Sequence, residues 1–448
     1  MKSNTWRETT LGELADFING DRGKNYPGVA DRVNVGIPFI NTGHILPSGR
    51  LTQDDMDYIT SEKYNQLGSG KVRPGDIVYC LRGSTIGKTA RNHYEEGAIA
   101  SSLVIVRAKP EVNQDYLYYF LTSPAGQQLA KSNDNGSAQP NLSAKTLSKY
   151  PLLVPSFEEQ QSIVNTLNAI DNKIEVNTKL NQTLEEMVQA IFKSWFVDFD
   201  PVKAKMKGVQ PEGMDAATVS LFPEKLVESE LGLIPEGWQI ATLKSMSEKI
   251  SKGTTPSKKD LAAAEDEASI RFIKVKDIND QGEILRDSLE IIPDSIHVGK
   301  LKRSILETND ILFSIAGTIG RVATVDQDLN NVNTNQAVAF VRLKDKKRYL
   351  PLVYMALREN RLQQKALASI VQGVQANLSL TNVGEMEVVI PSDEVLELWN
   401  KQYSSIFKMI KSNFAQSRDL SALRDTLLPK LLSGEIELGQ AQELAEVE

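Results

Sequence analysis

The sequence predicts a mixed α/β (α+β) protein: two duplicated, sheet-rich globular domains separated by two long helices that form an antiparallel intramolecular coiled coil. Three observations predict it: a heptad seam, its recurrence further along the chain, and a block of short strands that precedes each copy. The seam runs from Phe157 to about Phe199, with apolar residues at Ile163, Leu167, Ile170, Ile174, Leu184, Val188 and Ile191. Neither Pro nor Gly occurs between Ser156 and Asp200, and steps of four and three are the signature of a coiled-coil helix. At ~1.5 Å per residue, roughly forty such residues make a rod about 60 Å long. Asn177 and Asn181 interrupt the seam, a device that fixes register and partner at some cost in stability.

One amphipathic rod cannot bury its own stripe, and the second is in the same chain. From Asp393 to Leu432 Gly is again missing and Pro429 is the sole proline. Laid over the first rod, Ile406 matches Ile170, Ile410 matches Ile174, Asn413 matches Asn177, Leu420 matches Leu184 and Leu427 matches Ile191. The chain is therefore a tandem repeat. The rods could also join two chains, but each follows its own block and one chain supplies both, so an intramolecular pair needs no partner.

The first block, Trp6 to Pro155, holds short β-branched and aromatic runs (Ile37 to Ile40, Asp76 to Leu81, Leu103 to Val106, Pro151 to Val154) between Gly, Pro and Asn clusters. These read as strands, and 115–121 and 124–131 as helices. The second block, Trp238 to Pro391, repeats the plan: Asp76 and Ile77 match Asp310 and Ile311, Gly87 matches Gly320, and Asn141, Leu142 and Ser143 match Asn377, Leu378 and Ser379. Shared framework with divergent loops suggests two versions of one reading device. The expected partition is residues 1–156, a helix over 157–199, a proline-rich connection over 200–235 ordered only where it lies against something else, residues 236–392, a helix over 393–434, and an acidic tail over 435–448.

Composition narrows the function. The polar start and the lack of a long apolar run predict neither a signal peptide nor a membrane span. A lone cysteine, Cys80, fits a reducing cytoplasm. Three scattered histidines (His44, His93 and His297) argue against a zinc centre. The net charge of −7 does not exclude DNA, because distribution matters more than sum. Acids gather in the tail, the rods and the connection, whereas Lys252, Lys258, Lys259, Arg271, Lys274 and Lys276 enrich the second block in base.

No catalytic centre is expected. Gly83 and Gly87 with Lys88 and Thr89 follow a strand, but a phosphate loop needs four residues between the glycines, and here there are three. The second copy, Gly317 to Arg321, lacks the Lys-Thr pair, so a strand-turn using glycine's backbone freedom is preferred. No Pro-Pro dipeptide supports an adenine methyltransferase, and Pro293, Asp294, Asp345 and Lys347 are too loosely spaced for a nuclease. The polar loops are more informative, since Asn and Gln can bond adenine twice, Arg and Lys guanine, and Lys or Arg a phosphate. Candidate DNA contacts in block one are Lys24, Asn41, Thr42, His44, Arg82, Ser84, Lys88, Ser101, Ser102, Asn135 and Gln139. Those in block two are Lys252, Thr254, Thr255, Lys274, Lys276, Thr318, Arg321, Asn335, Gln336, Gln372 and Gln375. Ser101 and Ser102 align with Asn335 and Gln336, and Lys88 and Arg321 are placed as phosphate contacts. Each of these residues could equally be ordinary solvated loop.

Local motifs sharpen the reading. The run Trp195 to Pro201 with Lys203 to Gly208, then Leu221 to Pro223, Glu230 to Gly232, Ile234 to Trp238, and the ending Leu423 to Gly434 resemble the specificity subunits of Type I restriction–modification systems, over nearly the whole chain. The resemblance implies that each block is a target recognition domain reading half of a bipartite, asymmetric DNA site, with the paired helices setting the unread spacer. It implies two modification subunits that bind S-adenosylmethionine and methylate adenine N6, and two ATP- and Mg-dependent restriction subunits. Phage DNA-mimic anti-restriction proteins are further candidate partners. The chain itself would bind no cofactor or metal and do no chemistry. The competing readings are a stand-alone DNA methyltransferase or nuclease, which has no motif, and a coiled-coil adaptor, which leaves the duplicated polar loops unexplained.

Overall fold

A computed structural model describes residues 6–132, 141–211, 213–370 and 377–436. The chain divides into two compact units, residues 1–176 with 416–448, and residues 177–415. Both long helices, Phe157–Phe196 and Asp393–Ser433, are thus shared, each unit holding one part of each.

Each unit is built on a four-stranded antiparallel sheet. In the first, the order is Ala15–Asn19, Leu103–Ala108, Ile77–Cys80, Thr89–Arg91; in the second, Ser247–Lys252, Val338–Leu343, Ile311–Ser314, Val322–Thr324. The central strands are each buried over at least four consecutive residues because both faces are covered, which explains their continuous apolar runs. Strand alternation sends Ile77 and Tyr79 toward a layer containing the helix Gln114–Thr122. Val78 and Cys80 point the other way, with Ile40 and Ile45 beneath a smaller mixed sheet. In the second unit Ile311 and Phe313 face the helical layer and Leu312 the opposite one.

The smaller sheet contains a parallel pair in both copies, Phe39 beside Ala98 and Phe272 beside Asn333. A two-stranded clasp closes each domain: Arg7–Thr10 with Pro151–Val154, and Gln239–Thr242 with Glu387–Ile390. The clasp delivers the chain to Ser156 and Ser392, whose hydroxyls accept from the amides of Glu159 (3.3 Å) and Val395 (3.5 Å). Acidic pairs in both first turns, Glu158 with Glu159 and Asp393 with Glu394, complement the helix dipole.

Within the second unit the helices run antiparallel. The Asn181 side chain donates to the Ile410 carbonyl (3.1 Å) and accepts from Asn413 (2.8 Å), and Phe192 packs edge-on against Trp399 at 5.6 Å. Within the first, Arg424 bonds Asp171 at 3.0 Å. Ile163, Leu167, Ile170, Asn177, Leu184, Ile410 and Leu427 are buried, with Ile174, Ile406, Asn413 and Leu420 half-buried along the seam. Ile191 departs from expectation. It is only half-buried, while Phe192 and Trp195 are buried in its place. Two consecutive steps of four, from Leu184 through Val188 to Phe192, shift the stripe as a local stutter does.

The first helix ends at Phe196, three residues short of the expected 199. Phe199 takes a left-handed conformation (φ 56°) and opens the helix Asp200–Met206. The connection over 200–235 is more ordered than its prolines suggested. It forms two short helices and the hairpin Leu226–Ser229 with Gly232–Pro235, and buries Val202, Phe222 and Ile234. The Trp195 to Pro201 motif is thereby explained: Trp195, Phe196 and Phe199 join Phe222, Trp238 and Trp399 in one aromatic cluster.

Candidate nucleic-acid interface

Antiparallel register gathers the polar loops at one end of each large sheet. In the first unit Asn19 lies beside Val104 and Cys80 beside Leu103, so residues 20–25, 81–88 and 100–102 leave or enter together. A fourth segment arrives there: Arg82 bridges to Asn141, and the Leu142 amide donates to the Leu81 carbonyl at 2.8 Å. The second unit repeats this with Lys252 beside Ala339, Ser314 beside Val338, Ala316 bridging Asn377, and Leu378 donating to Ile315 at 2.8 Å.

Two glycine pairs make this convergence possible. A Cβ on Gly20 would lie 2.5 Å from the Ala100 carbonyl oxygen, and one on Gly253 1.6 Å from that of Thr334, so only glycine lets these loops cross. Gly87 and Gly320 have φ of 87° and 92°, a region costly for other residues. Their carbonyls accept from Gln127 and Gln363, both at 3.0 Å. The turn is backbone architecture in both copies.

The expected contacts sort by what already holds them. Lys24, Arg82, Ser84 and Lys88 are exposed, Ser101 is half-buried, and Lys252, Thr254 and Thr318 are exposed. None of these eight side chains has a hydrogen bond or ion pair among the described residues. Others are committed. Asn41 caps a turn, accepting from the Gly43 amide (2.7 Å) and donating to Asp57 (2.7 Å). His44 is buried, its Nδ1 accepts from the Asn41 amide at 3.1 Å, and burial lowers its pKa. The Asn41 and His44 side chains thus both hold this turn together. Thr42 is half-buried, 3.4 Å from the Ser102 hydroxyl. Gln336 accepts from the Thr255 amide (3.0 Å), and Asn335 from that of Ala337 (3.1 Å). Lys274 and Lys276 pair with Glu290, and Arg321 with Asp280 at 3.0 Å. Asn135, Gln139, Gln372 and Gln375 lie outside the described residues.

The structure also corrects one alignment. Ala100 donates to the Ile40 carbonyl as Asn335 does to Ile273, and Leu81 donates to Ser102 as Ile315 does to Ala337. Ser101 therefore corresponds to Gln336, and Ser102 to Ala337, one residue off the expected pairing. Lys88 and Arg321 do correspond, their carbonyls accepting from Cys80 (2.8 Å) and Ser314 (2.9 Å).

At the convergence in the first unit lies an open cleft of about 600 Å³, lined among others by Asn19, Asp21, Arg22, Arg82, Asn141 and Lys145. Arg22 and Lys145 were not expected from sequence. The signal that finds them is positional: Arg22 follows the crossing Gly20 by two residues, and Lys145 follows the repeated Asn141–Ser143 motif. Asp21, the acid in this lining, accepts from the Gly68 and Arg22 amides, each at 2.7 Å, and the Gly68 bond leads in lowering its pKa. Among the described residues no three His, Cys, Asp or Glu side chains group to hold a metal, and no helix is long and apolar enough to cross a membrane.

The profile of the Type I restriction modification DNA specificity domain matches twice, at residues 3–186 and 235–418. The chain belongs to the Type I restriction–modification specificity family. It is similar to the Type I restriction enzyme HindI specificity subunit of Haemophilus influenzae, 27% identical over 483 residues, covering 96% of this chain and 99% of that one. Against the EcoBI specificity subunit of Escherichia coli it is 24% identical, covering 97% and 86%. The fold is that of the S subunit from M. genitalium, with a TM-score of 0.52 at 16% identity over 96% of this chain and 97% of the other. As a specificity subunit the chain carries two recognition domains and serves recognition, not catalysis.

Proposed function

We propose that each domain reads one half of a bipartite, asymmetric duplex DNA site through the loops at the open end of its large sheet. The observation that carries this is the duplication: the same four segments converge in both units, on the same backbone bonds, with different side chains. The partition into recognition domains over 1–156 and 236–392, with helices and a connection between, follows the same division. Side chains free at the loop ends, Ser84, Ser101, Lys252 and Thr318 foremost, approach the groove, and Arg82 and Lys88 approach the backbone. The paired helices set the unread spacer. Two modification subunits supply S-adenosylmethionine-dependent adenine-N6 methylation, and two restriction subunits the ATP- and Mg-dependent cutting, in the cytoplasm. This chain binds none of those cofactors. Anti-restriction proteins that mimic DNA would compete at the same faces.

Exchange of one domain tests the reading. Replacing residues 236–392 by those of another specificity subunit, with methylation mapped genome-wide, is expected to change one half-site and leave the other. A change in both halves, or in neither with the assembly intact, would refute modular reading. Four helix-forming residues inserted between Leu180 and Leu184 lengthen that helix by about 6 Å. The expected outcome is a preferred spacer longer by one or two base pairs.

A further inference from the structure

We infer that Arg22, Arg82 and Lys145 form a phosphodiester-gripping subsite in the first recognition domain that the second domain lacks, so the two domains divide the work of binding unequally. The inference rests on the DNA-reading function proposed above and assigns its electrostatic part to one place.

The three side chains come from distant parts of the chain and line one cleft of about 600 Å³. All three residues are exposed, and none has an ion pair among the described residues. Asp21, held as a carboxylate by two backbone amides, offsets one of the three charges, so the lining stays net positive. Three like charges around one opening repel one another and favour an anion. A polyanion reaching several of them at once would gain most.

The second domain is the internal control. Shared backbone bonds fix the equivalences: Arg82 with Ala316 through the bridges to Asn141 and Asn377, and Lys145 with Thr381 through the capping residues Ser143 and Ser379. Arg22 corresponds to Thr255, each two residues beyond its crossing glycine. Every cation of the first cleft is replaced by a small neutral residue. In return the second domain gains one, Lys252, where the first has Asn19. Four further bases of the second domain are paired, Lys274 and Lys276 with Glu290, Arg286 with Asp326, and Arg321 with Asp280, while Lys258 and Lys259 are exposed on the short helix after Thr255, outside the positions equivalent to the cleft cations.

Each phosphate neutralised contributes about −0.9 to the slope of log affinity against log salt. The test is the assembled complex with its modification subunits, binding a duplex that carries its methylated site, between low and moderate chloride. The triple variant R22Q/R82Q/K145Q is expected to flatten the slope by about 2.7, which over a fourfold rise in salt is about a 40-fold smaller loss of affinity. Base preference at the first half-site should stay as it was. The control K207Q/K302Q/R303Q, which removes three exposed charges elsewhere, should change the slope by less than one such contact, and melting temperatures report whether each variant is folded. An unchanged slope in a folded cleft variant that still binds its site would overturn the subsite while leaving DNA reading standing. Failure of the parent complex to prefer its site would overturn both. Inhibition by inorganic phosphate beyond that of chloride at equal ionic strength, relieved in the triple variant without a change of slope, would reassign the cleft to a free anion.

Discussion

The two recognition domains place the same buried ion pair under the same sheet, yet surround it differently. In the first, Asp76 receives Arg107 through both oxygens (2.7 and 2.6 Å) and the Arg73 amide (2.7 Å). In the second, Asp310 receives Arg342 the same way (3.0 and 2.7 Å), the Glu307 amide (2.8 Å), and Lys346 at 3.1 Å. The Arg107 side chain is 22% exposed and that of Arg342 8%. The pair holds the strand Ile77–Cys80 or Ile311–Ser314 in register with its neighbour, and so holds the loop that follows. Water can take over one half of the pair in the first domain far more readily than in the second.

That difference predicts the largest effect. Asp310→Ala leaves the buried Arg342 guanidinium with only the exposed Glu307 as an acidic partner and should destabilise the second domain by about 3–5 kcal/mol. Asp76→Ala leaves a guanidinium that solvent can reach and should cost the first domain about 1–3 kcal/mol. Hydrogen exchange resolved by domain would measure both. Equal losses would mean the extra burial and the Lys346 contact carry no weight.

A second contrast lies along the helices. The seam of the first unit is apolar at Ile163, Leu167 and Ile170, whereas that of the second buries Asn181 against Ile410 and Asn413. Asn181→Leu should cost about 1–2 kcal/mol, because the Asn413 amide loses its acceptor. Adding Asn413→Leu should recover most of it, and a double-mutant cycle would read the coupling. Additive losses would show that the two amides act separately.

These contrasts separate what a sequence exposes from what it hides. The heptad seam is legible because period and length agree over ten turns, and the duplication because Gly87, Gly320 and the Asn-Leu-Ser motif answer to the same backbone bonds. The shift from Ile191 to Phe192 is not legible, since both are apolar and only packing against Trp399 chooses between them. His44 illustrates the harder limit. A polar residue in a loop looks available, and its burial beneath Asn41 is a fact of tertiary structure. Arg22 and Lys145 were hidden for the opposite reason: isolated charges in loops gain meaning only when the fold brings them around one cleft.

His44 itself sharpens the comparison at a smaller scale. Its counterpart Asp277 makes the same turn-closing bond, accepting from the Lys274 amide at 2.8 Å. His44→Ala should cost the first domain about 1 kcal/mol, and His44→Asn, which keeps a short acceptor, much less. Burial depresses the His44 pKa, so the unfolded chain binds the proton more readily and stability falls as pH drops below about 6.5. That loss should shrink in His44→Asn. Parallel melting curves for both proteins from pH 7 to 5 would show the linkage to be absent.

The smallest expected effect sets Lys88 against Arg321, equivalent in backbone and opposite in circumstance. Lys88 is exposed, with no side-chain partner among the described residues. Arg321 donates to Asp280 at 3.0 Å and to the Val275 carbonyl at 3.2 Å. A free lysine meeting a phosphate releases about one counterion, so Lys88→Ala should flatten the salt dependence by about 0.9 and weaken all sequences alike. Arg321 must first leave an acid whose side chain is 83% exposed. An ion pair this open is worth only about 0–1 kcal/mol, but while it holds the pair is neutral overall and releases little. Arg321→Ala should therefore move the slope less than Lys88→Ala, and Asp280→Asn should steepen it by freeing the guanidinium. Equal slopes for the two alanine variants would show that DNA pulls Arg321 from Asp280, making both residues phosphate contacts after all. A base-selective loss at Lys88 would instead move that residue from the backbone into the groove.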